Sequence, residues 1–278
     1  MDVQVASLDQ EASRLLDADA PWTLVARFER AVVIGRTTDG AMLSVVRNDV
    51  ADGPYTVRLA RSAPPDLRLL DRPPRLERST AARWRAEPVA AAEAVDGQEL
   101  DRRLRVLDTI ADRIAGPDRG FRAVIPATDR DQLEIAVARG DAGTAAAAAA
   151  RIAGLGPGLT PSGDDGLAGV LAFRSWADVA GRWPGGAPLR AAIREAAVPR
   201  TTRLAGQLLA AAEHGHVAAP LAGLLASLLG QRSTFPPDLS GLLAIGATSG
   251  ADLLGGVRLA GRAWRRWATP AGASPDGR

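Results

Sequence analysis

The 278-residue sequence contains no cysteine, and every one of its 34 basic residues is arginine rather than lysine. Without cysteine, the chain has no thiol nucleophile, disulfide or cysteine-ligated zinc or iron–sulfur site. Without lysine, it has no Schiff base and no phosphate-binding loop of the type whose lysine reaches the terminal phosphates. Chemistry is left to Ser, Thr, Asp, Glu, Arg, two histidines and the backbone. We therefore expect no haem, flavin, pyridoxal phosphate or zinc cofactor.

The sequence also lacks a large excess of charge of either sign. Its 34 arginines stand against 32 acidic residues, which gives a formal net charge of +2. The two signs are interspersed, and only Arg262, Arg265 and Arg266, beside Trp264 and Trp267, form a basic run, which is typical of a solvated helix face. The sequence therefore predicts no nucleic-acid partner.

Long apolar runs are missing as well. No segment reaches the roughly 20 apolar residues of a membrane span. The first residues, MDVQVASLDQEASRLL, have neither the basic start nor the apolar core of a signal peptide. We expect no membrane partner and a cytoplasmic location.

The first part of the chain carries strand and turn signals. Between Trp22 and Leu59 short apolar segments alternate with turn signals at Asp39-Gly40 and at residues 52–54, which predicts short strands joined by hairpins. A connector rich in proline and arginine follows. We place this β-rich N-terminal domain, with its connector, at residues 1–75.

The remainder is rich in alanine and leucine at helical spacing. The predicted helices are residues 97–115, 129–153, 164–179, 189–197, 201–213, 221–229 and 250–267. We therefore predict an α+β protein with a larger, mainly α-helical domain at residues 76–268. A tail at 269–278, rich in Pro, Gly, Ala and Ser, is predicted to be disordered.

The segment GLGPGLTPSGDDGLAG, residues 154–169, is the most informative of the chain. Its glycines and prolines cannot continue a helix, so a shaped loop must precede a new helix near Ser162. That helix start would offer unpaired N–H groups beside hydroxyls and two carboxylates. We predict that Asp164 and Asp165 are catalytic. The predicted substrate- or phosphate-binding residues of this loop are Gly156, Gly158, Thr160, Ser162 and Gly163.

A second segment repeats the pattern S-G-x-D-x-L-x-G. It contains Ser249, Gly250 and Asp252, of which the first two are predicted to bind substrate or phosphate and the aspartate to be catalytic. The alternative is that each serine only caps its helix, with the acid returning to the cap. If the two loops meet, their three carboxylates would repel an anionic substrate. A magnesium ion on Asp164, Asp165 and Asp252 would resolve this conflict, as would one aspartate that is unionised or acts as a general base.

A third polar cluster follows Pro199 at another predicted helix start. Thr201, Thr202 and Arg203 are candidate binding residues, although a threonine here is also a plausible helix cap. His214 and His216, at the end of the same helix, form a weak metal or acid–base signal and are typical of dipole partners.

Together, GLGPGLTPSGDDGLAG, PRTTRLAGQLLAAAEHG and IGATSGADLLGG resemble the AllH-like family, named for a subunit of oxamate carbamoyltransferase. The resemblance implies a role in allantoin and purine nitrogen catabolism, in which oxalurate and phosphate give oxamate and carbamoyl phosphate. It also implies companion subunits and a small anionic substrate. It assigns residues to three family motifs without assigning their roles: Gly156, Gly158, Thr160, Pro161, Ser162, Gly163, Asp164 and Asp165 in the first, Thr201 and Thr202 in the second, and Ser249, Gly250 and Asp252 in the third.

Two other interpretations remain open. One is a magnesium-dependent phosphate- or nucleotide-handling enzyme that acts alone on the same site. The other is a non-catalytic assembly subunit whose loops only cap helices.

Overall fold

The computed structural model describes residues 2–18, 20–115 and 120–269. The chain divides into two compact units. One, the sheet unit, comprises Met1–Glu87 and His216–Ala222; the other, the helical unit, comprises Pro88–Gly215 and Gly223–Arg278. The fold class is α+β, as predicted.

Among its described residues, the sheet unit contains seven strands and one complete α-helix. They are β1 (Asp2–Asp9), α1 (Gln10–Asp17), β2 (Trp22–Arg27), β3 (Ala31–Arg36), β4 (Met42–Val46), β5 (Thr56–Leu59), β6 (Arg75–Glu77) and β7 (Ala82–Trp84). The strand order is β2-β3-β4-β5-β1-β6, and β7 also pairs with β1. Strand β1 is antiparallel to β5 and parallel to β6 and β7. It therefore joins the later strands to the rest of the sheet.

The apolar core of this unit explains why its strands form. Val32 and Ile34 of β3 and Leu43 and Val45 of β4 are buried on the sheet, and Leu67 of the proline-rich connector is buried with them. The connector thus contributes to the core. The predicted domain boundary at residue 75 coincides with the first residue of β6, so the sheet continues beyond it and the unit extends to Glu87.

Two features of the sheet differ from the sequence prediction. Strand β1 was not predicted, because Ser7 and Asp9 are buried polar residues that interrupt its apolar pattern. The turn predicted at residues 52–54 does not make a hairpin, since β4 and β5 pair in parallel. Tyr55 lies there with φ 56°, in the left-handed region.

The helical unit contains ten helices among the described residues. They are α2 (Gly97–Ala115), α3 (Phe121–Val124), α4 (Ala127–Arg139), α5 (Ala142–Ile152), α6 (Ser162–Val179), α7 (Ala187–Ala197), α8 (Arg203–Glu213), α9 (Ala219–Leu229), α10 (Ser240–Leu243) and α11 (Ser249–Ala268). Residues 219–222 of α9 are assigned to the sheet unit and the rest of α9 to the helical unit. In this part of the chain no helix has the length and apolar character needed to span a membrane.

Most helix predictions agree with the structure to within two residues, and α2 agrees at both ends. The helix predicted at 129–153 is instead two helices, because Gly140 ends α4 in the left-handed conformation with φ 68°. Asp141 then caps α5 by accepting from the Thr144 amide. The short helices α1, α3 and α10 were not predicted, and residues 270–278 of the predicted tail lie outside the described residues.

Helices α6 and α11 cross at small residues. A Cβ on Gly169 would clash with the carbonyl oxygen of Leu253, and one on Gly256 would clash with that of Gly166. Glycine is required at both positions because the two backbones are in direct contact. This contact fixes the relative position of the two helix starts.

Candidate functional site

The close crossing brings together the two S-G-x-D segments. Residues Ser162, Asp164, Asp165 and Asp252 are all buried. The hydroxyl oxygens of Thr160, before α6, and Ser249, at the start of α11, are 3.2 Å apart. The two predicted loops therefore meet within the helical unit.

At both helix starts, several of the first-turn amides that the sequence suggests for anion binding are paired within the backbone. The amides of Gly163, Asp164 and Asp165 donate to the carbonyls of Leu155 and Pro161, at 2.9 to 3.1 Å. At α11 the amides of Gly250 and Asp252 donate to Ile245 and Thr248 in the same way. Because these first-turn amides are already paired within the backbone, they are not open for a phosphate.

The capping alternative does not hold either. Ser162 and Ser249 are the first residues inside their helices, and the cap positions, Pro161 and Thr248, make no side-chain cap bond. The serine hydroxyls are directed elsewhere. Thus the repeated S-G-x-D pattern is not explained by helix capping.

Asp164 holds the loop in place. Its carboxylate accepts hydrogen bonds from the Thr201 hydroxyl at 2.5 Å and from the Gly154 amide at 3.2 Å to each oxygen. Burial raises the pKa of Asp164, and these two donors oppose the rise. Asp164 thus connects the end of α5 to the segment before α8, which gives it a positioning role.

Asp165 and Asp252 are less well satisfied. One carboxylate oxygen of Asp165 and both of Asp252 are buried without a hydrogen-bond partner. Burial raises the pKa of Asp165 well above its usual value, and Asp252 and Asp164 raise it further, against the hydroxyls of Ser249 and Thr160. Burial also raises the pKa of Asp252.

The two segments act on each other reciprocally. The Ser249 hydroxyl of the second segment lowers the pKa of Asp165 in the first. The Ser162 hydroxyl of the first lowers the pKa of Asp252 in the second, although neither Asp252 oxygen reaches full hydrogen-bond geometry. Each serine therefore serves the aspartate of the other segment.

The glycines that follow the serines have a matching role. A Cβ on Gly163 would clash with the carbonyl oxygen of Ile152, and one on Gly250 would clash with that of Leu242. Each residue thus packs against the end of the preceding helix. Gly163 and Gly250 determine the backbone path, and this explains their place in the pattern without a contact to substrate.

The loop before α6 is exposed at residues 155–158. Gly156 has φ 113° and Gly158 has φ 93°, both in the region that favours glycine. A Cβ on Gly156 would lie 2.8 Å from the Ser162 amide nitrogen, whereas one on Gly158 would meet nothing within 4 Å. Gly156 is needed for close packing, and Gly158 is the more open position of the two.

The three residues of the third predicted cluster, Thr201, Thr202 and Arg203, have different environments in the structure. Thr201 contacts Asp164, as described above. Thr202 is the N-cap of α8, accepting from the Ala205 amide at 3.1 Å, and its hydroxyl donates to the carbonyl of Leu159. Arg203 is exposed at the first position of α8. The two threonines therefore fix the loop from one side.

Comparison with protein families agrees with this geometry. A family model described as oxamate carbamoyltransferase subunit AllH matches residues 152–261, less than half of the 278-residue chain. Over these residues, called the AllH segment below, the chain is similar to the AllH family. The AllH segment runs from the last residue of α5 into α11, so it contains both S-G-x-D segments and the Thr201 cluster. Searches of curated proteins and of solved structures gave no significant match.

The carboxylates of Asp164, Asp165 and Asp252 do not fit the predicted magnesium site well. Among the described residues no group of three or more Asp, Glu, His or Cys side chains has an arrangement that could hold a metal ion. Asp164 directs its oxygens to Gly154 and Thr201, and both oxygens of Asp252 are enclosed. Magnesium at this site stays a prediction, and the proposed reaction does not depend on it.

Sequence reasoning missed one buried pair, in the sheet unit. His216, buried past the end of α8, lies 2.6 Å through its Nε2 from Asp9 at the end of β1, while its Nδ1 accepts from the Ala86 amide. Its ring packs against Trp84. His214 is exposed at the C-cap of α8, so the two histidines do not act together. No sequence signal links positions so far apart.

Proposed function

We propose that this chain is a subunit of a carbamoyltransferase that converts oxalurate and phosphate to oxamate and carbamoyl phosphate, as the name of the AllH family suggests. The observation that carries the proposal is the meeting of the two S-G-x-D segments, both inside the matched residues, in one acid centre. On this proposal the reaction belongs to allantoin and purine nitrogen catabolism.

The chemistry of carbamoyl transfer suits an acid centre with raised pKa values. Phosphate attacks the ureido carbonyl carbon, the C–N bond breaks, and the departing nitrogen must gain a proton. A carboxyl group that is protonated near neutral pH can donate that proton. Asp165 is the best suited of the three acids, because it is the one whose pKa burial raises well above its usual value.

The proposal also explains why companion subunits would be needed. A buried cluster of acids does not anchor an anion, and the first-turn amides of α6 and α11 are paired with carbonyls. The phosphate and the oxamate carboxylate therefore need cationic or amide donors from outside this centre. Arg203 is an exposed candidate, and companion subunits are the other source.

The test is reconstitution with the companion subunits. Phosphate release from carbamoyl phosphate is measured with and without oxamate, first in magnesium and then in EDTA. We expect oxamate-dependent release that falls by about 100-fold or more in Asp165→Asn, the usual cost of losing a general acid. The matched control is Asp141→Asn, at the exposed N-cap of α5, which should stay within about twofold of the wild type.

Failure of the chain to assemble with the companion subunits would contradict the proposal. So would an assembly whose phosphate release does not depend on oxamate. Activity that disappears in EDTA and returns with magnesium would support the predicted metal. Activity retained in EDTA would support the unionised aspartate instead.

A further inference from the structure

The loop between α5 and α6 carries backbone N–H groups that are not used inside the protein. The amides of Gly156, Gly158, Leu159 and Thr160, called the loop amides below, donate no hydrogen bond to any other described residue. Residues 155–158 are exposed and residues 159–160 are partly exposed, so a solute can reach these donors. The loop amides therefore differ from the first-turn amides of α6, which donate to carbonyl oxygens.

The carbonyl oxygens of the same loop are engaged by the protein. The carbonyl of Leu155 accepts from the Gly163 amide at 2.9 Å, and the carbonyl of Leu159 accepts from the Thr202 hydroxyl. These two bonds hold the loop at both of its ends while its amides stay unbonded. A loop that is fixed in this way and offers neighbouring N–H groups to solvent is suited to bind an anion through its backbone.

The middle of the loop has space for such an anion. Gly158 has φ 93°, and a Cβ built on it would meet no atom within 4 Å. Glycine at this position leaves the backbone open to close approach by a ligand. The open space thus lies next to the loop amides.

An arginine is attached beside the loop. A Cβ on Gly154 would lie 2.4 Å from the carbonyl oxygen of Arg200, so the backbone of Arg200 packs against the start of the loop. The Arg200 side chain is exposed and makes no hydrogen bond or ion pair with another described residue. By contrast, Arg194 pairs with Glu213 at 2.5 Å. Arg200 can therefore supply the positive charge that the acid centre lacks, since a guanidinium binds an oxyanion through two parallel hydrogen bonds.

Asp165 adds a hydrogen-bond acceptor on the other side of the loop. It is 6% exposed, whereas Asp164 is 2% exposed and Asp252 is fully buried, so Asp165 is the most accessible of the three acids. Its Oδ2 has no hydrogen-bond partner among the described residues. The hydroxyl of Thr160, the last residue of the loop amides, acts on this carboxyl group and lowers its pKa. A carboxyl group keeps an oxygen that accepts an N–H group in either protonation state.

We propose that the loop amides and Arg200 bind an oxyanion, and that Asp165 accepts a hydrogen bond from an N–H group of the same molecule. The ligand class is a small molecule in which a carboxylate or a phosphate stands next to an amide. Carbamoyl phosphate and oxamate both belong to this class. In assigning them to this place the inference rests on the proposed function, and it names the donors that the acid centre itself does not provide.

The first test is a titration of the isotope-labelled full chain with inorganic phosphate and then with oxamate, followed in amide proton–nitrogen correlation spectra. We expect saturable shifts of the four loop amides. The amides of Gly163 and Asp164 are internal controls and should shift less, because they already donate to carbonyl oxygens. Loop amides that respond to neither anion, both in the chain alone and with companion subunits, would overturn the proposal.

The second test removes the guanidinium. Arg200→Gln should weaken the binding of phosphate by about 10-fold or more, which corresponds to the loss of a hydrogen bond to a charged group. Arg139→Gln is the matched control, because Arg139 is also exposed, at the end of α4, and should leave the affinity unchanged. Equal affinity in the wild type and in both variants would remove Arg200 from the site.

The third test compares oxamate with pyruvate, which has the same carboxylate and a methyl group in place of the amide nitrogen. If Asp165 accepts the N–H group, the wild type should prefer oxamate by about 10-fold. Asp165→Leu should lose this preference and still bind phosphate at the loop amides. Equal affinity for oxamate and pyruvate in the wild type, which needs no variant to fold, would reject the role of Asp165. A preference that persists in Asp165→Leu would reject it as well.

The outcomes separate this inference from the proposed function. Shifts of the loop amides and a preference for oxamate, in a chain whose assembly has no transferase activity, would keep the binding site and reject the reaction. Transferase activity in an assembly whose loop amides do not respond to phosphate would keep the reaction and reject the binding site.

Discussion

Asp9 in the sheet unit and Asp252 in the helical unit are both buried almost completely, and their carboxylates are in opposite situations. Asp9 accepts from the amides of Glu11 at 3.1 Å, Ala12 at 3.2 Å and Tyr55 at 2.9 Å, and from Nε2 of His216 at 2.6 Å. Neither oxygen of Asp252 has a partner in full hydrogen-bond geometry, although the hydroxyls of Thr248 and Ser162 and the Phe121 amide lower its pKa. A buried carboxylate whose oxygens all accept hydrogen bonds stabilises the fold. A buried carboxylate without such bonds lowers the stability of the fold, and a functional role explains why it is present.

The largest effect should come from breaking the satisfied acid. Asp9→Ala leaves three amides and the His216 ring without their acceptor, so we expect a loss of about 3–5 kcal/mol in the free energy of unfolding. Asp252→Asn, with the same shape and no charge to bury, should change it by less than about 1 kcal/mol or increase it. Urea unfolding measures both. If both variants lose the same stability, the contrast between the two acids is wrong.

A smaller effect should come from separating the two helices that hold the unsatisfied acids. Gly256→Ala places a methyl group against the carbonyl of Gly166, and we expect a loss of about 2–3 kcal/mol because backbones must move. Gly223→Ala is the matched control: this exposed helical glycine has open space around it and should gain about 0.5–1 kcal/mol. Thermal or urea unfolding measures the change in the free energy of unfolding of both variants. An equal change in the two variants would contradict the close contact between α6 and α11.

The pH dependence of stability sharpens the comparison further. Because the pKa of Asp165 is raised in the folded state, the folded chain keeps a proton that the unfolded chain has lost above about pH 4. The wild type should therefore lose stability, relative to Asp165→Asn, as pH rises through the folded pKa. Urea unfolding at pH 5 and pH 8 measures the free energy of unfolding of both proteins. If the wild type loses no more stability than Asp165→Asn between these two pH values, the raised pKa is wrong.

Asp164 is the intermediate case and should show the smallest effect. Thr201→Val removes the hydroxyl that donates to its carboxylate, and we expect a loss of about 1 kcal/mol. Thr201→Ser keeps the donor and should recover most of that stability. Unfolding curves of the two variants give the answer, and an equal loss in both would show that the methyl group of Thr201, and not its hydroxyl, is what matters.

The parts that local patterns control were predictable from the sequence. Glycine, proline and alternating apolar residues placed α2, the loop before α6 and the two S-G-x-D segments close to their observed positions. The rest depends on contacts between distant residues. Strand β1 contains buried polar residues whose partners lie elsewhere, such as Ser7 with Arg58, and His216 meets Asp9 across 207 positions.

The candidate site divides in the same way. Its acids and hydroxyls could be named from spacing, but the direction of each side chain could not. The pattern S-x-x-D predicts a local helix cap. In the structure the serines are not caps, and each serine hydroxyl instead lowers the pKa of the aspartate in the other segment. The paired first-turn amides also follow from the loop backbone, because Leu155 and Pro161 supply the acceptors.

The reciprocal contacts between α6 and α11 have the form of an isologous interface. In such an interface residue i of one copy contacts residue j of the other, and residue j of the first contacts residue i of the second. Gly169 packs on Leu253, and Gly256 packs on Gly166, the matching pair. The second segment differs from the first at three positions, where Ala251, Leu253 and Gly255 stand in place of Asp164, Gly166 and Ala168. The loss of the Asp164 carboxylate breaks the twofold relation at the acids. A substrate bound between the segments therefore meets two unlike ends, so the site has a direction that a strict duplication would lack.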